Sequence, residues 1–224
     1  MNHEIRFEYL KRFSVCILGL VFYAFGNFLG VKAGAAGTNA WNTLSLGLVE
    51  STGITFGTAG LIISFIVIVI DIIGRGKIGF GTLMNAVFIS ILADIMLNLF
   101  TFIPEAPNSL VGAVYTLGGQ IVISFATILY MKPALGCGPR DTLMVIVGLK
   151  FPKVPIGTIK LGVEIAVLIV GILLGAPFGI GTVLVMTLQA MIFQIVCKIC
   201  RYEPRDVVHE NFADTYRRFM GKQA

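Results

Sequence analysis

The residues best suited to chemistry lie in "LGCGPRDTLM", 135–144, where Arg140 and Asp141 stand side by side between two strongly apolar tracts. Pro139 suits a first helical turn because its missing donor would be unpaired there anyway, and Gly138 permits an unusual backbone angle just before it. Asp141 then falls near the third helical position, where the helix dipole favours a carboxylate and free amides can donate to it; that role would be structural. Arg140 gains nothing from that dipole. Either it completes an anion pocket beside the free amides, or it reaches out to phosphates at the cytoplasmic interface. One half earlier the chain reads "GTNAWNTLSLGL", with Trp41 where the later motif has Arg140. Trp41 is either an interfacial anchor or a ring that stacks in a pocket, and Asn39, Asn42 and Thr43 supply donors and acceptors for both cases.

Ionisable groups inside apolar tracts are costly and so are candidates for function. Asp94 stands midway along one tract with Ser90, Asn98 and Asn85 nearby. It is a candidate coupling-ion or proton site, or a protonated carboxyl that hydrogen-bonds a neighbouring helix. Glu164 follows Lys160 by four residues, the spacing of a helical ion pair, and Asp71 precedes Arg75 by the same interval. No phosphate loop, HExxH, nucleophile elbow or paired metal motif occurs, and the two histidines, His3 and His209, lie in terminal segments. We therefore expect no enzyme, no cofactor, no metal and no nucleic-acid partner. Of the four cysteines, Cys197 and Cys200 form a lone CxxC, which without a second ligand pair reads as interfacial thiols.

What must position these residues is a membrane bundle. With 56% hydrophobic and 13% charged residues and a mean hydropathy of +0.89, the 224-residue chain lies outside the soluble range. Apolar tracts run over 13–31, 58–74, 80–103, 110–131, 158–175 and 180–197, each near the roughly 20 residues a helix needs to cross a bilayer. Their continuous hydrophobicity argues for helices over a barrel. The first tract is longer than a signal core, so we expect it to be retained. With both termini in the cytoplasm, Lys32 is the one basic residue left outside, which sets the expected orientation in a bacterial inner membrane.

The chain is also written twice. Aligning Gly19 onward with Gly118 onward superposes Gly37 on Gly136, Asn42 on Asp141, Thr43 on Thr142 and Leu44 on Leu143. Further on, Gly57 and Thr58 match Gly157 and Thr158, and Gly79, Gly81 and Thr82 match Gly179, Gly181 and Thr182. Each half has three crossings, an odd number, so the halves are expected to insert with opposite orientation. The expected fold class is all-α, a polytopic transmembrane helical bundle of six spans arranged as two three-span inverted-topology repeats. The short segments 43–51 and 140–149, about 13 Å long if helical, are re-entrant or interfacial. The organisation is then an N-terminal segment 1–12, a first repeat 13–103, an external loop 104–109, a second repeat 110–200 and a cytoplasmic amphipathic tail 201–224. In the tail, Val208, Phe212, Tyr216 and Phe219 share one helical stripe after Pro204, suited to a membrane surface.

"GCGPRDTLM" with its partner "GTNAWNTLSLGL" resembles the YczE/YyaS/YitT group of bacterial integral membrane proteins, over nearly the whole chain. That group more often has proline before the tryptophan and aspartate after it. Here those positions are Ala40 and Asn42, so no carboxylate role carries over to the first half. The resemblance implies the fold more than an activity. The expected function is a permease for a small polar or anionic solute, working by alternating access. Its candidate contacts are Asn39, Trp41, Asn42 and Thr43 from one half and Gly138, Arg140, Asp141 and Thr142 from the other. The alternative is a non-transporting assembly or regulatory protein. Expected partners are membrane lipid, the solute, and either a second copy of the chain or a cytoplasmic protein on 201–224.

Overall fold

The computed structural model describes residues 3–203 and 207–219, and its regular elements are helices. They are α1 (His3–Lys32), a 3-10 turn (Gly34–Ala36), α2 (Ala40–Thr52), α3 (Phe56–Ile73), α4 (Phe80–Leu99), α5 (Ser109–Met131), α6 (Pro139–Lys150), α7 (Ile156–Leu173), α8 (Ile180–Cys200) and α9 (Phe212–Phe219). Local chemistry sets their ends. Asn39, Thr55 and Asn108 accept from the backbone amides of Asn42, Thr58 and Val111, Pro139 opens α6, and Gly53 closes α2 in the left-handed region. Among the described residues, α1, α3, α4, α5 and α8 are long and apolar enough to cross a membrane. Phe65, Ile73 and Leu173 are 66%, 77% and 79% exposed, a periphery suited to lipid. The chain is a multi-pass integral membrane protein.

At the centre α1 and α5 run antiparallel in close contact. A Cβ at Gly26 would fall 2.6 Å from Ile123 Cγ1 and 2.7 Å from Gly119 O, while Gly112 rests on Ala33 and Ala36. Small residues let the backbones approach, which is how helices associate where burial from water drives nothing. α4 lies along α1, with Phe13 against Phe80 and Phe28 against Phe100, and α8 lies along α5. The short helices cross between halves, α2 packing on α7 and α6 on α3. At the first crossing Gly47 meets Gly171, whose carbonyl would be 2.5 Å from a Cβ.

Both glycine breaks dock on the start of a long helix. Gly37, at φ 76° and ψ 175°, sits against Gly179 and Thr182, and its carbonyl accepts from Thr116 Oγ1 at 2.7 Å. Gly136, at φ 121°, sits against Gly79 and Thr82. Beside it, Leu135 O accepts from Gly81 N and Cys137 O from Thr82 Oγ1, both at 2.7 Å.

The C-terminal segment folds back on the bundle. Glu210 N donates to Ala134 O at 2.9 Å, Phe212 N donates to Ile78 O at 3.2 Å, and the Phe212 ring stands 4.7 Å from that of Phe80. The expected stripe is divided. Val208 and Tyr216 are 81% and 65% exposed, whereas Phe212 and the buried Thr215 face the bundle. The reason is that α9 starts only at Phe212, capped by Asn211, after the extended residues that anchor Glu210. Pro204 and the Phe219 side chain lie outside the described residues. Next to that anchor, the His209 imidazole is half-buried, with Nδ1 unpartnered among the described residues, and burial holds its pKa below the ordinary value, the nearby Asp141 opposing in part. A histidine held neutral when folded takes up its proton more readily once released. Docking is therefore at full strength above the unfolded pKa of about 6.5 and weakens as pH falls below it. Proteolysis of residues 207–219 should accelerate between about pH 6.5 and 5 in the native chain and not in His209→Phe; equal acceleration in both would count against this linkage.

Candidate functional site

Both glycine breaks deliver their following residues to one cavity of about 240 Å³. α1 contributes Tyr23 and Asn27, α5 contributes Tyr130, and α7 and α8 contribute Glu164 and Gln189. Its central contact joins the two halves. The Arg140 guanidinium carbon stands 4.8 Å above the centre of the Trp41 ring. Trp41 is 8% exposed, so the ring is enclosed by protein and not set in a lipid interface, where a stacked cation is worth about 2 kcal/mol. Among the described residues no carboxylate lies within ion-pair distance of Arg140, and it has the Tyr23 hydroxyl and the Asp141 carboxylate as electrostatic neighbours. An arginine stacked but not salt-bridged, with the Tyr23 hydroxyl as its hydrogen-bond partner, keeps its remaining donors available for an anionic or strongly polar guest.

The other motif residues divide into those that face the cavity and those that build it. Asp141 faces it and accepts from Tyr130 Oη at 2.8 Å. That phenol takes the place of the backbone amides expected from the third position of α6. Gly138 caps α6 and lets it approach closely, since a Cβ there would lie 3.1 Å from Tyr130 Oη and 3.2 Å from Asn85 Nδ2. Asn42 Nδ2 donates to Asn27 Oδ1 at 3.2 Å, and Asn39 holds the start of α2 through Asn42 N at 3.0 Å. Thr43 and Thr142 do not line the cavity; their hydroxyls return to backbone carbonyls, Asn39 O at 3.0 Å and Gly138 O at 3.2 Å. These two stabilise first turns and leave recognition to their neighbours.

The carboxylates of the apolar tracts do not all sit where their spacing suggests. Lys160 and Glu164 do pair, at 3.9 Å, and Glu164 has a second partner in the Gln189 side-chain amide. Asp94 accepts from Gly57 N and Thr55 Oγ1 and so caps the start of α3. Asp71 does not form the expected surface pair with Arg75. It is fully buried with both oxygens unpartnered among the described residues, because α3 ends at Ile73 and the chain turns through Gly74 and Arg75, the latter at φ 59°. Sequence reasoning missed Tyr23, Asn27, Tyr130 and Gln189. Their signal was available, polar groups in apolar spans, but their repeat mates are unlike them and no glycine break marked them.

A model for a family of unknown function, DUF6198, matches residues 10–198. An uncharacterized protein of Haemophilus influenzae Rd is 32% identical over 190 residues, 84% of each chain. The uncharacterized membrane protein YczE of Bacillus subtilis 168 is 28% identical, covering 84% of this chain and 86% of its own. The uncharacterized protein YyaS of the same organism is 25% identical, over 81% and 90%. No solved structure matches significantly.

Proposed function

The chain belongs to the DUF6198 family of YczE/YyaS-type membrane proteins, and from that premise we propose that it is a permease for a small polar or anionic solute. The solute binds between two inverted-topology repeats, α1–α4 and α5–α8, and the site is exposed to each side of the membrane in turn. The observation that carries this reading is the stacking of Arg140 on Trp41 at 4.8 Å. These residues hold matching positions in the two halves, which supports a reading with a pseudo-two-fold axis between them and the cavity on it, where transporters built from inverted repeats bind their substrates. The paired docking of Gly37 on Gly179 and Gly136 on Gly79 supports the same axis. In this reading the three-span halves make six crossings with both termini cytoplasmic, in the bacterial inner membrane. α7 joins the five long apolar helices as the fifth span in chain order, and α2 and α6 are re-entrant.

A thermal-shift screen of purified protein against metabolite pools identifies the solute, because a ligand of the folded form raises its apparent stability. Uptake of that solute into liposomes is then compared between the native chain, Arg140→Ala and Arg140→Lys. A lost charge-assisted contact of about 1.5–3 kcal/mol predicts a fall of roughly tenfold to a hundredfold for alanine, with membrane insertion unchanged. Uptake equal to the native rate would overturn the site. The strongly exposed Val208 and Tyr216 favour a second reading, in which residues 207–219 dock a soluble partner and nothing is transported; partner capture with no flux for any bound solute would establish it.

A further inference from the structure

Asp94 and Glu164 both belong to apolar helices, and the chemistry of their partners separates them. Asp94 is held by donors alone. Gly57 N–H donates to Oδ1, and the Thr55 hydroxyl, which already accepts from Thr58 N, donates to Oδ2. A proton on Oδ1 would weaken the bond from Gly57 N–H, which cannot reverse, and one on Oδ2 would force the Thr55 hydroxyl to turn, while the N-terminus of α3 adds its dipole in favour of the ionised form. Gly57 is fitted to that arrangement, since a Cβ there would lie 2.6 Å from Asp94 Cγ. Asp94 is a fixed cap, and it does not line the cavity.

Glu164 has the opposite kind of partner. It is 5% exposed yet faces the cavity, and one oxygen is bonded to the Gln189 side-chain amide. An amide offers a donor at one atom and an acceptor at the other. By turning over it bonds an ionised carboxylate through N–H or a protonated carboxyl through C=O. The other oxygen, Oε1, has Lys160 Nζ at 3.9 Å, beyond hydrogen-bond reach, so it is open to a proton. Asp141 from α6 and Tyr23 from α1 act on it electrostatically, Arg140 lines the same cavity, and α2 presents the uncharged Ala40, Trp41, Asn42 and Ser45. Lys160, whose side chain is 51% exposed, stands between Glu164 and solvent.

We propose that Glu164 is the proton-binding group of the cavity, taking a proton on Oε1 and returning it to water past Lys160 as the solute site changes sides. This deepens the permease reading and transfers the coupling role from Asp94 to Glu164. One O–H bond forms at Glu164 Oε1 as one breaks in hydronium, while Oε2, then the carbonyl oxygen, keeps its bond from the Gln189 amide.

The test uses the full chain in lipid and needs no solute. Infrared difference spectra between about pH 8 and pH 5 record the C=O stretch of carboxyls that become protonated. In Glu164→Gln one component of that band is lost, and in Asp94→Asn the band is kept whole. Gln189→Leu keeps the component but shifts its frequency, because the carboxyl has lost its hydrogen-bond partner; this variant decides the matter if Glu164→Gln fails to fold. A band unchanged by Glu164→Gln, or one component removed by Asp94→Asn, overturns the proposal. Failure of the permease reading reads differently: the Glu164 component titrates as expected while no bound solute crosses the membrane. Flux that is identical in Glu164→Gln and indifferent to a pH gradient leaves the permease intact and removes the coupling role.

Discussion

Replacing Glu210 with alanine is expected to release residues 207–219 from the bundle and lower stability by roughly 3 kcal/mol, the scale for removing one member of a buried ion pair. Glu210 is a junction. Oε1 lies 2.8 Å from both Arg12 Nη1 and Arg218 Nη1, and Oε2 accepts from Tyr9 Oη at 2.9 Å and Thr215 Oγ1 at 3.0 Å. The Arg12 contact has ion-pair distance, and Nη1 makes no hydrogen bond among the described residues. Its strength is therefore Coulombic, and it is large because the two side chains are only 14% and 10% exposed. Without Glu210, Arg12 keeps its bond from Nε to Pro133 O and the exposed Glu8 carboxylate at 3.8 Å, but loses its close, enclosed anion.

The effect reaches beyond the tail. Glu210 and Phe212 fasten the turn before α4, at Ile78, to the stretch before α6, at Ala134. Releasing them frees the glycine break that positions Arg140. Glu210→Ala should therefore show a lower melting temperature, faster proteolysis after residue 203 and faster thiol labelling of Cys137, which is half-buried and unpaired in the native chain. Glu210→Gln, which keeps the acceptor for Tyr9 and Thr215 but not the charge, should fall between. A Glu210→Ala protein indistinguishable from native in all three measurements would refute the junction.

The second large effect is expected at Gly37→Ala. At φ 76° and ψ 175° this residue occupies a region that is essentially glycine's alone, at about 1–3 kcal/mol for any other residue. An added Cβ would also fall 2.2 Å from Thr182 Oγ1 and 3.0 Å from Gly179 N, so the break must lift off α8. Gly53→Ala is the control. Its φ of 74° and ψ of 10° carry the left-handed cost of about 1–2 kcal/mol, but nothing lies within 4 Å of the new atom. Gly37→Ala should lose most of its folded yield while Gly53→Ala is mildly destabilised. Any folded Gly37→Ala should show altered emission from Trp41, the chain's single tryptophan, as its stack with Arg140 loosens. Equal stability of the two variants would mean that the docking of Gly37 on α8 is energetically idle.

Much of this architecture could be read one segment at a time. Transfer of apolar side chains into lipid is a local, additive quantity, so the tracts 58–74 and 110–131 reappear as α3 and α5 within a few residues. Capping and backbone restriction are also local, and Pro139 and Gly37 mark the breaks for that reason. What no single segment could specify was which faces meet. Arg140 and Trp41 each had an adequate interfacial explanation, and only the crossing of the short helices between halves stacks one on the other. Spacing placed Arg75 four residues after Asp71, but the end of α3 took it off the helix and left the carboxylate buried. Asp94 and Glu164 are the same kind of residue in the same kind of tract. Their difference lies in partners 37 and 25 positions away along the chain, a backbone donor for one and a side-chain amide for the other. Such pairings are fixed by how closely glycine-bearing helices can approach in three dimensions, and one-dimensional periodicity carries no record of it.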